Sequence, residues 1–428
     1  MTSAVEQRPR TLTTAASKAL GDALFDSPAM ADLRARAAAA IETTAMPTTQ
    51  ERPWKYLDIS TLDLDAYTPA SSTNGFEAPA VDGEYAAVLR QVNGITISDE
   101  LRAEGLKVVA FDRDGDPALQ AVVDRALGTA VPFDRNRLTA AHYAFLRGGV
   151  LVNVAANAEV ALPVRISRWY NGDHALVTPH TLIVTGANSR VSVVEDFRSS
   201  EDDILALSAV EILPGPGAEV RYTALHRWGT KTRVLNEQRT ITERDSAVYG
   251  LSLAVGGAVV KSHIESSLVG RGSSSELFGL GVANGRQQHD FYTLQDHQGP
   301  DTRSDLLFKS ALKGRSRSVY YGMTRVGLGA RNADANQENR NLLLSKLAKA
   351  DSDPVLEILT NDVIRASHGA TAGPVDEEQL FYLQARCLPY PQAETMLVGA
   401  FLAQVLDRVP DETLRAELTE ALEARLAE

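Results

Sequence analysis

The 428-residue sequence predicts a mainly β chain: a β-helix core flanked by an N-terminal helical or α/β domain and a C-terminal helical domain. Three observations carry this expectation. Strand-turn units recur at a near-constant interval in the middle of the chain, helix signals nearly vanish between residues 141 and 365, and they return sharply after Gly373.

Residues 11–45 are rich in Ala and Leu with little β-branching. Stretches such as ADLRARAAAAIETT read as helix with a polar stop at MPTTQERP. PWKYLDIS, Pro53 to Ser60, reads as an anchor where two aromatics pack down. Onward to about residue 140 the pattern mixes short strands (YAAVLRQVNGITIS, LKVVAFD) with a helix (PALQAVVDRALG), which makes residues 1–140 an N-terminal, mostly helical domain.

Residues 141–365 alternate in short runs such as VRYTALHRW and SRVSVVEDF, separated by Gly, Asn, Ala and Pro. A turn of small residues ending in valine recurs as ANAEV (Val160), ANSRV (Val191) and PGAEV (Val220), and more loosely as GGAVV (Val260). The first two spacings are 31 and 29 residues. Such an interval marks a solenoid, because each coil buries its apolar side only against the coils above and below it. A sandwich also gives many short strands, but it seldom extends over a core of this length as one sheet pair. Asn336, Asn339 and Asn341 suit stacked turns, where amides bond between coils.

Residues 366–428 form the C-terminal helical domain. Asp376 with Gln379 three residues on makes a capping-box-like start before LFYLQAR. Pro391 suits the first turn of the next helix, whose Met396, Leu397, Phe401, Val405 and Val409 make an apolar stripe closed by Pro410. Leu414, Leu418, Leu422 and Leu426 form a ladder on the last helix.

The net charge is -12, and residues 376–428 hold eleven Asp and Glu against four Arg. That sign and the lack of a basic stripe exclude nucleic acid as the expected partner and favour a protein with a basic face. MTSAVEQRPRTLTT has no apolar core, and no window approaches the ~18 apolar residues of a membrane helix, so a cytoplasmic protein without membrane contact is expected. Cys387 is the single cysteine, which excludes an internal disulfide framework or a cluster held by several thiolates of this chain.

There is no phosphate loop, and GTKT at Gly229 to Thr232 lacks its leading turn, so the chain is not expected to hydrolyse ATP. Neither a nucleophile elbow nor a zinc-protease spacing occurs, and His174 and His180 read as structural. HDFYTLQDHQGPDTRS holds a dense polar cluster. Its Asp290, Asp296 and His297 could serve a β-helix carbohydrate-active enzyme, or could belong to a turn network around Pro300, Thr302 and Ser304. His368, in NDVIRASHGATAG, is surrounded by small residues. A ligand could approach it closely, but a lone imidazole holds a metal poorly, so further ligands must come from a second chain; a packed histidine at a domain junction is the other reading.

DHQGPDTRSDLLFKSALKGRSRSVYYG, NQENRNLLLS, DPVLEILTNDVIRASHGATAG and DEEQLFYLQARCLP, in this order, resemble the SufB/SufD family of iron-sulfur cluster assembly proteins. The resemblance is strong over residues 290–410 and weak elsewhere, with PWKYLDIS similar to a segment near the family's N-terminus. It implies a right-handed parallel β-helix that pairs with a SufB-like subunit. It further implies C-terminal helices that hold a SufC-like ATPase in a SufBCD complex, here through Phe381, Tyr382, Met396 and Phe401. SufB-like chains carry a β-helix cysteine and Glu-His-Glu-Ala where this chain has Ser-His-Gly-Ala, so the resemblance lies on the SufD side. The S-H-G histidine of the family sits at the assembly interface and matches His368, a transient metal ligand shared with the partner chain. The implied role is a non-catalytic scaffold, with a transient iron-sulfur cluster shared with SufB, ATP on the partner ATPase only, flavin on the complex possible, and a homodimer when isolated. Two departures stand out. Ala366 replaces a cysteine frequent in SufD-like chains, and Cys387 stands where the family usually has glycine.

Overall fold

A computed structural model of the chain describes residues 10–24, 26–111 and 116–427. The first nine residues of the stretch compared with a secretory signal, and Asp112 of LKVVAFD, lie outside the described residues.

The chain opens with α1 (Thr14–Leu24) and α2 (Pro28–Thr43). Ser27 caps α2 by accepting the Met30 N–H at 3.2 Å, with Pro28 in the first turn, where its missing N–H leaves no helical bond unmade. Strands β1 (Thr68–Pro69), β2 (Ala87–Val92), β3 (Ile95–Leu101) and β4 (Leu106–Ala110) follow, then α3 (Pro117–Ala126) and α4 (Arg137–Ala144). The solenoid continues through β5 (Gly149–Val154), β6 (Val164–Tyr170), β7 (Ala175–Val177), β8 (His180–Thr185), β9 (Arg190–Ser199), β10 (Ile204–Pro214), β11 (Glu219–Arg227), β12 (Arg233–Thr242) and β13 (Ala247–Ala254). It ends with β14 (Val259–Leu268), β15 (Ser274–Ala283), β16 (Gln288–His297), β17 (Arg303–Leu312), β18 (Arg317–Val326), β19 (Ala333–Leu343), β20 (Lys349–Ile358) and β21 (Val363–Gly373).

These strands build two sheets in which each coil strand pairs in parallel with the strand one coil on, while β3 on β2 and β4 on β5 close the N-terminal ends as antiparallel pairs. The first sheet runs β4-β5-β8-β10-β12-β14-β16-β18-β20 and the second β3-β2-β6-β9-β11-β13-β15-β17-β19-β21. β2 and β4 pair with β6 and β5, so the N-terminal region starts both sheets and is not a detached cap.

The repeating valines are the reason the coils stack. Val191, Val220 and Val248 face one another across β9, β11 and β13, and the Val160 N–H reaches the Arg190 carbonyl at 3.0 Å. Val260 pairs with Val234 in the other sheet, so the looser GGAVV match shares composition but not position. The early interior is aliphatic, with Val150, Val193, Val220 and Ile212 in one enclosed cluster. Toward the end it turns polar: Gln337 accepts from Thr324 Oγ1 at 3.1 Å and donates to the Gly322 carbonyl at 3.1 Å, and Asn341 donates to Asn339 at 2.7 Å. The asparagines expected in turns therefore lie on strand β19. Asn339 and Asn341 bond inside the coil, and Asn336 bridges Asp305 and Ser367 on its outer face.

β21 runs to Gly373, so the solenoid extends past the expected boundary at residue 365. Ser-His-Gly-Ala forms a strand because the β19 ladder holds it there, against the low strand preference of its small residues.

Helices α5 (Glu377–Ala385), α6 (Tyr390–Leu406) and α7 (Glu412–Ala427) complete the chain. Asp376 accepts from the Glu378 and Gln379 N–H groups at 2.8 and 3.1 Å. At the other end of α5, Cys387 has φ 68°, its N–H bonds the Gln384 carbonyl, and the Leu388 N–H bonds the Leu383 carbonyl. This left-handed helix stop ordinarily uses glycine. The bundle packs on the outer face of the second sheet, with Leu402, Val405, Leu418 and Leu422 against Leu251, Phe278 and Leu280. Met396 falls off this buried stripe and is exposed.

Candidate functional site

His368 opposes Gln337 in the β19–β21 register, with Ala366, Ala370 and Ala372 opposing Ala335, Asn339 and Asn341. Those β19 residues are buried and alternate with exposed or half-buried neighbours, which makes them the inward set. His368 thus occupies an inward position on the last coil, yet it is exposed, because β21 pairs on one side only. It makes no hydrogen bond with a described residue. β20 likewise has one neighbour and sets Ser352, Pro354 and Leu356 over Tyr320, Gly322 and Thr324 of β18. The end of the solenoid is therefore open, with two unpaired parallel edges around a mouth of small and polar side chains. Ile358, Leu359 and Ile364 stand exposed on its rim, Ile364 at 71%.

The N-terminal anchor reaches this end. Lys261 Nζ of β14 donates to the Pro53 carbonyl at 2.5 Å and lies 4.9 Å from the Trp54 ring, which also meets His263 at 5.2 Å. Gln288 of β16 donates to the Tyr56 carbonyl, Arg317 of β18 stacks on the Tyr56 ring, and Lys55 Nζ and Tyr56 OH both donate to Asp353 of β20 at 2.9 Å. Four residues thus cross four successive coils. The aromatic anchor was legible in the sequence; its reach to Asp353 was not.

The polar cluster of β16 does not form a site. Asp290 and His297 lie seven positions apart and so face opposite sides of the strand. Asp290 is buried on the outer side against Lys261 at 2.9 Å. His297 is enclosed and bonds Thr302 and Ser304 at 2.9 Å each, which is the turn network. Asp296 accepts from Gln298 at 2.6 Å. His180 is structural as expected, buried between His142 and Glu211, whereas His174 sits at a turn with φ 57°.

Among the described residues, one group of three metal-capable side chains occurs, Glu237, His263 and Glu265. Arg135 bonds Glu237 and Glu265 at 3.0 and 2.6 Å, and Arg239 bonds Glu265 at 2.5 Å. Burial opposes ionisation of Glu237, but His263, Arg135 and Arg239 outweigh it and hold its carboxyl at about 2. The carboxylates are already neutralised by guanidinium groups, so this is a structural ion network. Among the described residues, His368 belongs to no such group.

On the C-terminal bundle, Phe381, Tyr382 and Met396 are exposed, at 73%, 58% and 60%. Phe401 is turned the other way, onto β17, where Lys309 Nζ donates to its carbonyl at 2.6 Å and lies 4.3 Å from its ring. Burial pushes the Lys309 ammonium down to about 8. Glu417 of α7 grips Arg165 with two 2.9 Å bonds and also bonds Arg227, while Asp196 bonds both arginines. No sequence motif marked Glu417, because its partners lie 252 and 190 residues away.

Fold and terminal geometry define the class: a parallel β-solenoid with helical additions at both ends and one open terminal coil. Residues 168–401 match the family model described as SUF system FeS cluster assembly, SufBD core domain. The chain belongs to the SufB/SufD family of iron-sulfur cluster assembly proteins. It is 28% identical to the SufD assembly protein of Bacillus subtilis over 78% of this chain and 76% of that one. It is 27% identical to the SufD of Escherichia coli over 90% of each, and 30% identical to a SufBD family protein of Mycobacterium tuberculosis over 73% of this chain and 78% of that one. No described helix is long and apolar enough to cross a membrane.

Proposed function

We propose that the chain is a SufD-like scaffold subunit whose open solenoid end pairs with a SufB-like chain and sets His368 at the seam. The observation that supports this reading is the inward, exposed position of His368 on a strand with one unpaired edge. Unpaired N–H and C=O groups along β20 and β21 are templates for a further strand, and the rim isoleucines give such a partner apolar surface to bury. Iron and sulfide are the material assembled there. The imidazole supplies one nitrogen ligand, and thiolate must come from the partner, since Cys387 lies in the stop of α5. Phe381, Tyr382 and Met396 offer the face for a SufC-type ATPase, which carries the nucleotide chemistry this sequence lacks.

The test is co-expression with SufB-like and SufC-type chains, comparing His368→Ala with the unchanged protein. An intact complex with a lower yield of protein-bound iron and sulfide supports the assignment. Unchanged yield would return His368 to a packing role.

A further inference from the structure

We infer that one turn edge of the last three coils is a docking surface for an acidic α-helix of a partner protein. This goes beyond the proposed pairing at the open end and does not depend on it. The turns at 284–287, 313–316 and 344–348 each carry the chain from the second sheet to the first. They stack directly. The Lys313 N–H bonds the Ala283 carbonyl at 2.9 Å, the Arg315 N–H bonds Gly285 at 2.7 Å, Gly314 N–H bonds Ser345 Oγ at 2.9 Å, and the Lys349 N–H bonds Ser316 at 3.0 Å.

This edge carries Arg286, Lys313, Arg315, Lys346 and Lys349, and its three turns read NGRQ, KGRS and LSKLA without one acid. None of the five cations is ion-paired with a described residue. Earlier coils do not share this run of cations along the same edge: NGDH and SEDD are acidic, GTKT carries a single lysine, and VGGA is uncharged. There the cation Arg233 is neutralised by Asp203 at 3.0 Å. This row corrects the expectation of no basic stripe, since its cations lie a coil apart in sequence and come together only when the turns stack, and on a chain of net charge -12 such an unpaired basic end is complementary to an acidic partner.

Two features select a protein helix. Leu347, 57% exposed, stands beside Lys346, and an apolar side chain amid cations suits a polypeptide better than a phosphate backbone. Successive coils repeat at about 4.8 Å, close to the roughly 5–6 Å between carboxylates one helical turn apart, so a helix lying along the solenoid axis keeps step with the cations. Gly285, at φ 64° and with open space where a Cβ would project, leaves the backbone approachable.

The test measures fluorescence anisotropy of a short labelled helical peptide, with glutamates four apart flanking leucines, titrated with the full chain. The triple variant Lys313→Glu, Arg315→Glu and Lys346→Glu is expected to weaken binding roughly tenfold with an unchanged melting profile, and Leu347→Gln roughly threefold. Equal affinity for the triple variant overturns the inference, as does tighter binding of single-stranded DNA of similar length, which would make this a nucleic-acid edge. Loss of self-association alone, with peptide binding intact, would overturn it in favour of a contact between copies.

Discussion

His368 stands one coil beyond Gln337 in the same inward column, and while Gln337 is fully enclosed, His368 is exposed. Every earlier inward position is sealed by the next coil. Among the described residues, none supplies the coil that would seal His368.

Replacing Ile364 by Asp tests whether that coil comes from a partner. Ile364 is an exposed rim residue, so the isolated chain should keep its stability to within about 0.5 kcal/mol. Association with a SufB-like chain, measured by sedimentation, should weaken. Undiminished association would move the interface away from this end.

Glu417→Ala should loosen the C-terminal bundle. It removes the carboxylate shared by Arg165 and Arg227 and leaves Asp196 as their remaining acid, a change on the order of 3 kcal/mol for a largely buried pair. Hydrogen exchange should quicken in α5 to α7 before it does in β9 to β17. Equal protection in both would show that apolar packing alone holds the bundle.

Stability should fall as pH drops below about 6.5, the range in which an unfolded histidine takes up its proton. Burial holds His142 and His226 down to about 3, and His289 and His297 down to about 4, so the unfolded state binds more protons across this window. The loss is roughly 2 kcal/mol per histidine at about pH 5, and it levels off once the folded values are passed. Glu417 adds to it further down. Burial opposes its charge, but Arg165 and Arg227 hold it at about 2, so its contribution is complete above its ordinary value and fades as pH falls toward 2. Urea midpoints that stay flat from neutral pH to pH ~5 would contradict enclosed neutral histidines.

Cys387→Gly should stabilise the protein by about 1 kcal/mol, because the position has φ 68° and glycine adopts that conformation without a Cβ penalty. Thermal melting reads the gain. A loss of stability would mean that the thiol makes a contact worth more than the backbone strain.

The solenoid was legible because Val160, Val191 and Val220 repeat at nearly the length of a coil, and α5 because Asp376 precedes its first turn with a capping carboxylate. The reading ended β21 too soon because Ala366, Ser367 and Gly369 resemble a loop by composition, while their strand geometry comes from β19. His368 drew attention through its small neighbours, but the open end around it is the absence of a following coil, which has no local signature. Asp290 and His297 looked clustered because proximity along the chain conceals the alternation of strand faces. Phe401 shared a helical stripe with Met396 in the sequence, yet Lys309 beneath it decides which way it turns.

The anchor at residues 53–56 also governs the order in which the molecule can form. Lys55 meets Asp353, a residue 298 positions later, so this clasp cannot shut until the polypeptide between them has wound completely. Repeat arrays ordinarily propagate from neighbour to neighbour and fray at their tips. Here the tip is fastened to the start, and a half-wound chain emerging during synthesis leaves Trp54 uncovered until Lys261 and His263 arrive beneath it.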